Sequence, residues 1–163
     1  MVGSWYSTVS SSMINNVNVF NNTAYGNAFG AVLNPATSIL WENNIFANNK
    51  TAGVYNENSS ITGHSFNYNL FYSNGPNTWY NVAHYNDVSA NPLFTNPSTG
   101  DFSLQSTSPA INVGDPNTTT TVCGTVDFLG NPRIVGGRID MAAYEYPAGS
   151  APGAPTNLTA TVN

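Results

Sequence analysis

The amino-acid sequence predicts an all-β fold, a parallel β-helix of about three to four coils followed by a C-terminal capping region. A repeat of about 25 residues in the first half indicates a solenoid, because a period in the twenties is typical of stacked repeats. The apolar residues form short β-prone runs between Asn and Gly residues, as short strands and tight turns do. No long apolar stripe with the period of a helix accompanies them.

The repeat occupies residues 1–90 and is marked by two recurring residue types. Phenylalanines that each follow an aliphatic residue recur at spacings of 26 and 25 residues, and they are Phe20, Phe46 and Phe71. An asparagine stands two places before each of them, and these are Asn18, Asn44 and Asn69. Stacked coils lie ~4.8 Å apart, so equivalent asparagines can form an amide ladder while the phenylalanines stack in the core. We expect both sets to be structural.

The composition excludes several classes of function. Only 7% of residues are charged, with three Lys or Arg against eight Asp or Glu, and the polarity comes from 26 Asn, 17 Thr and 16 Ser. Three cations cannot form the basic surface that binds nucleic acid. No apolar run approaches the ~20 residues that a membrane-spanning helix needs. The 40% of hydrophobic residues favours a packed core over disorder.

A different series of motifs occupies residues 91–146, about a third of the chain. The motifs are Asn-Pro-Leu-Phe (91–94), Gly-Asp-Phe-Ser-Leu (100–104), Ser-Pro-Ala-Ile-Asn (108–112), Asp-Phe-Leu-Gly-Asn-Pro-Arg (127–133) and Gly-Gly-Arg-Ile-Asp-Met-Ala-Ala-Tyr-Glu (136–145). This series resembles the C-terminal region of bacterial pectate-lyase-like right-handed β-helix proteins of the choice-of-anchor Q type. Asn91, Asn112 and Ala142 depart from that pattern, which has Asp, Asp and Gly there. The resemblance implies a right-handed coil, an extracellular or cell-surface location and association with a polysaccharide or surface glycan.

Residues 91–146 are also expected to cap the solenoid, because a solenoid must cover its terminal apolar coil. Most of the charged side chains of this region lie in its second half, and buried charges need partners. We therefore expect them to brace the cap. They are Asp127, Arg133, Arg138, Asp140 and Glu145.

The two ends of the chain predict a longer parent protein. Residues 147–153 are small and rich in Pro and Gly, as linkers are. Residues 154–163 resemble the first strand of a fibronectin type III domain. The N-terminus has neither the basic nor the apolar segment of a leader peptide. We expect further domains of the parent chain on both sides.

Titratable residues of the repeat supply weak candidates for catalysis. His84 and Asp87 form the densest cluster, in which His84 is a candidate base and Asp87 its orienting partner. The competing interpretation is a surface loop whose side chains are hydrogen-bonded. Glu42 and Lys50 bracket one coil and are expected to form a weak exposed pair.

Trp79 and Tyr80 are the candidate carbohydrate-binding residues, because aromatic faces stack on sugar rings. The competing interpretation is that Trp79 packs over the core. No clustered carboxylates predict a metal site, although calcium is the ion that some lyases of this fold class use. No other cofactor is expected.

Two functions remain open, because the fold alone does not select among lyases, hydrolases and non-catalytic proteins. The first is the C-terminal fragment of a secreted polysaccharide-associated β-helix protein, lyase-like and acting on uronate-containing glycans if it is catalytic, without a complete active site in this chain. The alternative is a non-enzymatic adhesin or surface-stalk segment with weak glycan binding.

Overall fold

The computed structural model describes residues 14–56, 60–77 and 82–147, which form a β-solenoid of about three turns. The strands are β1 (Asn15–Phe20), β2 (Thr23–Tyr25), β3 (Phe29–Leu33), β4 (Thr37–Glu42), β5 (Ile45–Ala47), β6 (Ala52–Asn56), β7 (His64–Asn67), β8 (Leu70–Tyr72), β9 (Ala83–Tyr85), β10 (Val88–Ser89), β11 (Phe94–Asn96) and β12 (Asp101–Leu104). The helical content of these residues is one 3₁₀ turn (Pro97–Thr99) and α1 (Thr120–Cys123).

Strands of successive coils stack into three parallel sheets. The first sheet has the order β1-β4-β7-β9, the second β2-β5-β8-β10, and the third contains β3 and β6. Each strand therefore pairs with its equivalent in the next coil, which is the defining geometry of a β-solenoid. The predicted all-β solenoid is confirmed.

The register corrects the predicted repeat in the first coil. Phe20 pairs with Glu42 in the first sheet, whereas Phe46 lies in the second sheet between Ala24 and Phe71. The equivalence of Phe20 with Phe46 is therefore wrong. The equivalence of Asn18 with the asparagines of the later coils is wrong for the same reason, since Asn18 pairs with Leu40 and is exposed.

Unequal coil lengths explain this error. The offset between paired residues is 22 from Asn15 to Thr37, 25 from Ile39 to His64 and 18 from Ser65 to Ala83. Two strands of one coil share the same alternation of polar and apolar residues, so a local motif fits either of them. Only the length of the intervening loops distinguishes the two.

The solenoid core lies between the three sheets. Its buried side chains come from all of them and include Leu33, Phe46, Val54 and Phe66. Aromatic rings stack from coil to coil, with Phe46 5.1 Å from Phe71 at 14°. Trp41 and Phe66 stack in the same way, at 5.2 Å and 4°.

One amide ladder runs through four coils at the corner between the first and second sheets. The backbone N and Nδ2 of Asn22 both donate to Oδ1 of Asn44, at 2.9 and 3.0 Å. Asn44 donates in the same way to Asn69, at 3.0 and 2.9 Å. Asn69 donates to Oδ1 of Asp87, at 2.8 and 3.3 Å. A carboxylate suits the last position, because that residue only accepts.

A second amide ladder follows the second sheet. Asn27 donates from its backbone N to Oδ1 of Asn49 at 3.1 Å, and Asn49 donates to Asn74 from its backbone N and Nδ2 at 3.0 and 2.9 Å. In both ladders the residue before each member has a positive φ, for example 57° at Asn43 and 53° at Tyr68. The left-handed residue turns the corner, and the ladder side chain then satisfies the backbone there.

The C-terminal region covers one side of the solenoid. Neighbouring residues of a strand point to opposite faces, so Ile45, Ala47 and Leu70 point outward from the second sheet while Phe46 points inward. These outward residues are buried under the C-terminal region, whose contributions to this second core are Phe94, Leu104, Ala110, Met141 and Ala142. The sequence predicted a cap over the last coil, but the apolar outer face of the second sheet requires this lateral cover.

The same region is fastened to the corner residues of three successive coils. Asn21 donates from Nδ2 to the carbonyl oxygen of Asp140 at 2.8 Å. Oδ1 of Asn43 accepts from the backbone N of Asp115 at 2.7 Å. The guanidinium of Arg138 lies 5.4 Å over the ring of Tyr68. The left-handed corners thus present their side chains outward, where they hold the cover.

Candidate functional site

His84 and Asp87 lie close together, but Asp87 also accepts a hydrogen bond that holds the fold. Nδ1 of His84 lies 3.9 Å from Oδ2 of Asp87, and the His84 side chain is 51% exposed. The other carboxylate oxygen of Asp87 ends the first amide ladder. Burial raises the pKa of Asp87, and the hydrogen bonds from Asn69 oppose that rise. The pair is therefore anchored to the fold on one side and open to solvent on the other.

Backbone groups satisfy most of the charged side chains that were predicted to brace the cap. Asp127 accepts from the backbone N of Leu129, Asn131 and Glu145 at 2.8–3.0 Å. Burial alone would raise the pKa of Asp127, but these hydrogen bonds outweigh it and the pKa is lowered. Arg133 donates to the carbonyl oxygens of Ala142 and Ala143, both at 3.2 Å.

Asp140 and Glu145 are buried close to one another. Asp140 accepts from the backbone N of Asn112 and Tyr146 at 2.7 and 2.6 Å, while Glu145 accepts from those of Val135 and Asp140 at 3.0 and 3.2 Å. Burial raises the pKa of Asp140 to about 6. Burial, together with the charge of Asp140, raises the pKa of Glu145 to about 8. Glu145 therefore carries a proton at neutral pH.

A second carboxyl pair joins the first sheet to the C-terminal cover. We call residues 114–123 the strap. Asp115 of the strap lies beside Glu42, which is 6% exposed at the end of β4. The predicted exposed pair of Glu42 with Lys50 is therefore wrong. Burial, and next the contact with Asp115, raises the pKa of Glu42 to about 7, while that of Asp115 is lowered. Of the two carboxyl groups, Glu42 therefore holds a proton more readily than Asp115 does.

The strap and the outer face of the first sheet enclose a groove of about 260 Å³. Its floor is formed by outward residues of β1, β4 and β7, which include Phe20, Leu40 and Asn67. Thr118 and Val122 form the wall on the strap side. The groove combines apolar and amide groups with the carboxyl pair at its side.

A cavity lies on the second sheet, where β2, β5 and β8 meet the hairpin of β11 and β12. Its volume is about 380 Å³. Its lining is uncharged and consists of Tyr25, Asn48, Tyr72, Ser73, Asn91, Pro92, Leu93, Phe94, Pro97 and Gln105. The ring of Tyr25 is fixed by edge contact with Phe94 (5.9 Å, 76°) and tilted contact with Phe102 (5.2 Å). An immobilised aromatic wall therefore faces several amides and a hydroxyl.

A second hollow of about 310 Å³ shares Tyr72 and Ser73 with this cavity. It is lined further by Asn74, Asn77 and Ser89, and again no charged residue takes part. Tyr72 is 36% exposed and stands between the two hollows. We call the two hollows together the Tyr72 groove. Trp79 and Tyr80, the predicted carbohydrate-binding residues, lie outside the described residues, two and three positions after Asn77.

Comparisons with known proteins add no relative. No protein-family model, no curated protein and no solved structure matches the chain. No helix in residues 14–56, 60–77 and 82–147 has the length and apolar character needed to cross a membrane. Within the same ranges, no three His, Cys, Asp or Glu side chains gather as ligands for a metal ion.

Sequence reasoning missed both grooves for an identifiable reason. Each groove combines the outer face of stacked strands with a segment from far along the chain, such as Glu42 with Asp115 or Tyr25 with Gln105. The only local signal was the alternation of side chains along each strand. It places Phe20 and Glu42 on the outward side for the groove on the first sheet, and Tyr25 on the outward side for the Tyr72 groove. That signal requires the correct register before it can be used.

Proposed function

We propose that this chain is a non-catalytic, glycan-binding segment of a secreted polysaccharide-associated β-helix protein. The uncharged Tyr72 groove is the observation that carries the proposal. Amide and hydroxyl groups match the hydroxyls of a sugar, and the exposed ring of Tyr72 offers a face on which a sugar ring can stack. Cavities of roughly 300–1,000 Å³ are typical of small-molecule sites, and both hollows reach that range.

The lining favours neutral glycans over uronates. The two hollows contain no Lys, Arg or His to neutralise a carboxylate. The two described arginines are engaged with backbone carbonyls of the C-terminal region, and the net charge of −5 opposes a polyanionic ligand. The electrostatics of the groove therefore disfavour the uronate-containing substrates that the sequence predicts.

Binding is also better supported than cleavage. A retaining or inverting glycosidase separates its two carboxyl groups by about 5 Å or more, so that a sugar or water fits between them. Glu42 and Asp115 instead lie side by side at the edge of one groove. Asp87, the predicted partner of His84, is held in the amide ladder. Glu42 and Asp115 are thus closer neighbours than glycoside hydrolysis needs, and the neighbour of Asp87 is a histidine and not a second carboxyl group.

The finer identity, a diverged relative of the choice-of-anchor Q proteins with a fibronectin type III domain after it, is part of this proposal. It is supported by the motifs of residues 91–146, which form the lateral cover of a β-solenoid. A surface stalk is a second candidate function. The two amide ladders favour it, because continuous hydrogen bonding along the coils stiffens a spacer.

Affinity electrophoresis in gels that contain a neutral glucan, a galactomannan or polygalacturonate tests the proposal. We expect at least one neutral polymer to retard the chain and polygalacturonate to leave its mobility unchanged. Tyr72→Ala should weaken retardation about threefold to tenfold, because an aromatic contact contributes about 0.5–1.5 kcal/mol.

Tyr85→Ala is the matched control, since Tyr85 is 61% exposed on the first sheet and lines neither hollow of the Tyr72 groove. It should bind like the unmodified chain. If no neutral polymer retards the chain, or if Tyr72→Ala and Tyr85→Ala weaken retardation equally, the surface stalk would be the better-supported function.

A further inference from the structure

We propose that the strap is a pH-sensitive wall of the groove on the first sheet, fastened while Glu42 and Asp115 share a proton and released when that proton is lost. This inference concerns a different face from the Tyr72 groove and does not depend on glycan binding. It assigns the carboxyl pair a conformational role.

The pair lies where the strap touches the solenoid. Oδ2 of Asp115 accepts from Nδ2 of Asn67 at 2.9 Å, and Oε1 of Glu42 accepts from Oγ1 of Thr118 at 3.3 Å. Asn43 accepts from the backbone N of Asp115 at 2.7 Å and donates to Thr118 at 3.1 Å. These contacts adjoin both carboxyl groups, so a change in the charge of the pair acts on the whole attachment.

Among the described residues that line the groove with Glu42 and Asp115, none is a cation. The sheet presents Asn67 and Phe20 beside Glu42, and the strap presents Asp115, Asn117 and Thr118. In α1, burial raises the pKa of the Cys123 thiol and Glu42 adds to that rise, while Arg133 lowers it. Loss of the shared proton therefore places two negative charges in contact, which repel one another.

The direction with pH follows from these contacts. Burial and Asp115 raise the pKa of Glu42 to about 7, so the pair is singly charged below that pH and doubly charged above it. The strap is consequently fastened under acidic conditions and loosened under alkaline ones. Its first residue stays attached at any pH, because Arg138 donates to the carbonyl oxygens of Val113 and Gly114. Release is thus confined to residues 115–123.

Hydrogen exchange of the backbone amides tests this inference on the full chain. The protection factor of the Asp115 amide, corrected for the intrinsic effect of pH, should fall at least tenfold between pH 6 and pH 8.5, with a midpoint near 7. In Glu42→Gln the fall should disappear, since a glutamine amide donates to Asp115 at every pH. Asp115→Asn provides a second variant that removes the repulsion if Glu42→Gln does not fold.

Glu145→Gln is the matched control, because Glu145 also titrates in this range but lies outside the strap. It should retain the transition of the strap. A protection factor that does not change with pH in the unmodified chain, or a transition that persists in both Glu42→Gln and Asp115→Asn, would overturn the inference.

Discussion

Replacement of Asn69 by alanine tests whether the first amide ladder has the register seen in the structure. Asn69 is fully buried in the middle of the ladder. Its Oδ1 accepts from the backbone N and Nδ2 of Asn44, and its Nδ2 donates to the carbonyl oxygen of Trp41 at 3.0 Å. Alanine would remove these bonds from the buried amide groups of Asn44 and from the partly buried carbonyl of Trp41.

The expected loss of stability follows from the groups left behind. Each buried donor or acceptor without a partner costs about 1–3 kcal/mol. Asn69→Ala leaves the backbone N of Asn44 and one hydrogen of its Nδ2 in that state, while the other hydrogen still donates to the carbonyl oxygen of Val19. The carbonyl oxygen of Trp41 also loses one hydrogen bond, and partial relaxation recovers some of the cost. We expect the free energy of unfolding to fall by about 3–5 kcal/mol.

Asn18→Ala is the informative comparison, because Asn18 was predicted from the sequence to be a ladder residue and the structure places it, exposed, opposite Leu40. Its effect should stay within about 0.5 kcal/mol, as for most surface substitutions. Urea unfolding at pH 6, followed by circular dichroism, measures both values. Similar losses in the two variants, or a loss below about 1 kcal/mol for Asn69→Ala, would refute the register and the ladder.

Three further predictions follow from buried carboxyls, tight coil corners and the His84 cluster. The fold raises the pKa of Glu145 from 4.5 to about 8 and so favours its protonated form. The stabilisation from protonated Glu145 is therefore complete below pH 4.5 and is lost as pH rises through about 8. The unmodified chain should thus become less stable at alkaline pH, by about 2 kcal/mol after allowance for solvent screening. Glu145→Gln should not show this loss when thermal unfolding is measured across the same pH range. Gly63→Ala should lower the melting temperature strongly, because φ is +82° and a Cβ would stand 2.1 Å from a backbone oxygen of the preceding coil. Gly26→Asn should leave the melting temperature nearly unchanged, because φ is +72° and no atom lies near the added Cβ. Polygalacturonate and alginate, with or without calcium, should yield no absorbance from unsaturated products, and a product that His84→Ala abolishes would contradict the non-catalytic proposal.

The sparse charges of this chain are used mainly inside the C-terminal cover. Asp127 and Asp140 each accept from at least two backbone N–H groups, and Arg133 and Arg138 donate to backbone carbonyls. These bonds hold loops that have little regular secondary structure. The sequence predicts that these residues brace the C-terminal region. In the structure, their principal partners are backbone groups.

The candidate sites could be predicted from the sequence only in part. The chemistry of exposed aromatics and amides was visible in Trp79 and Tyr80, but Tyr25 and Tyr72 carry no local signal that separates them from core aromatics. Their assignment to a groove depends on which face of the second sheet is covered by residues 91–105.

The sequence by itself determined the architecture of the solenoid. Short alternating runs, asparagine at corners and a period near 25 residues are local properties, and local properties decide whether a chain forms strands and tight turns. The tertiary structure alone decided the register of the first coil, the lateral position of the cover and the contact of Glu42 with Asp115. Coil lengths of 22, 25 and 18 residues shift equivalent positions without altering any local pattern. Contacts between residues more than seventy positions apart, such as Glu42 with Asp115, arise in this chain because the C-terminal region covers outer faces of the sheets.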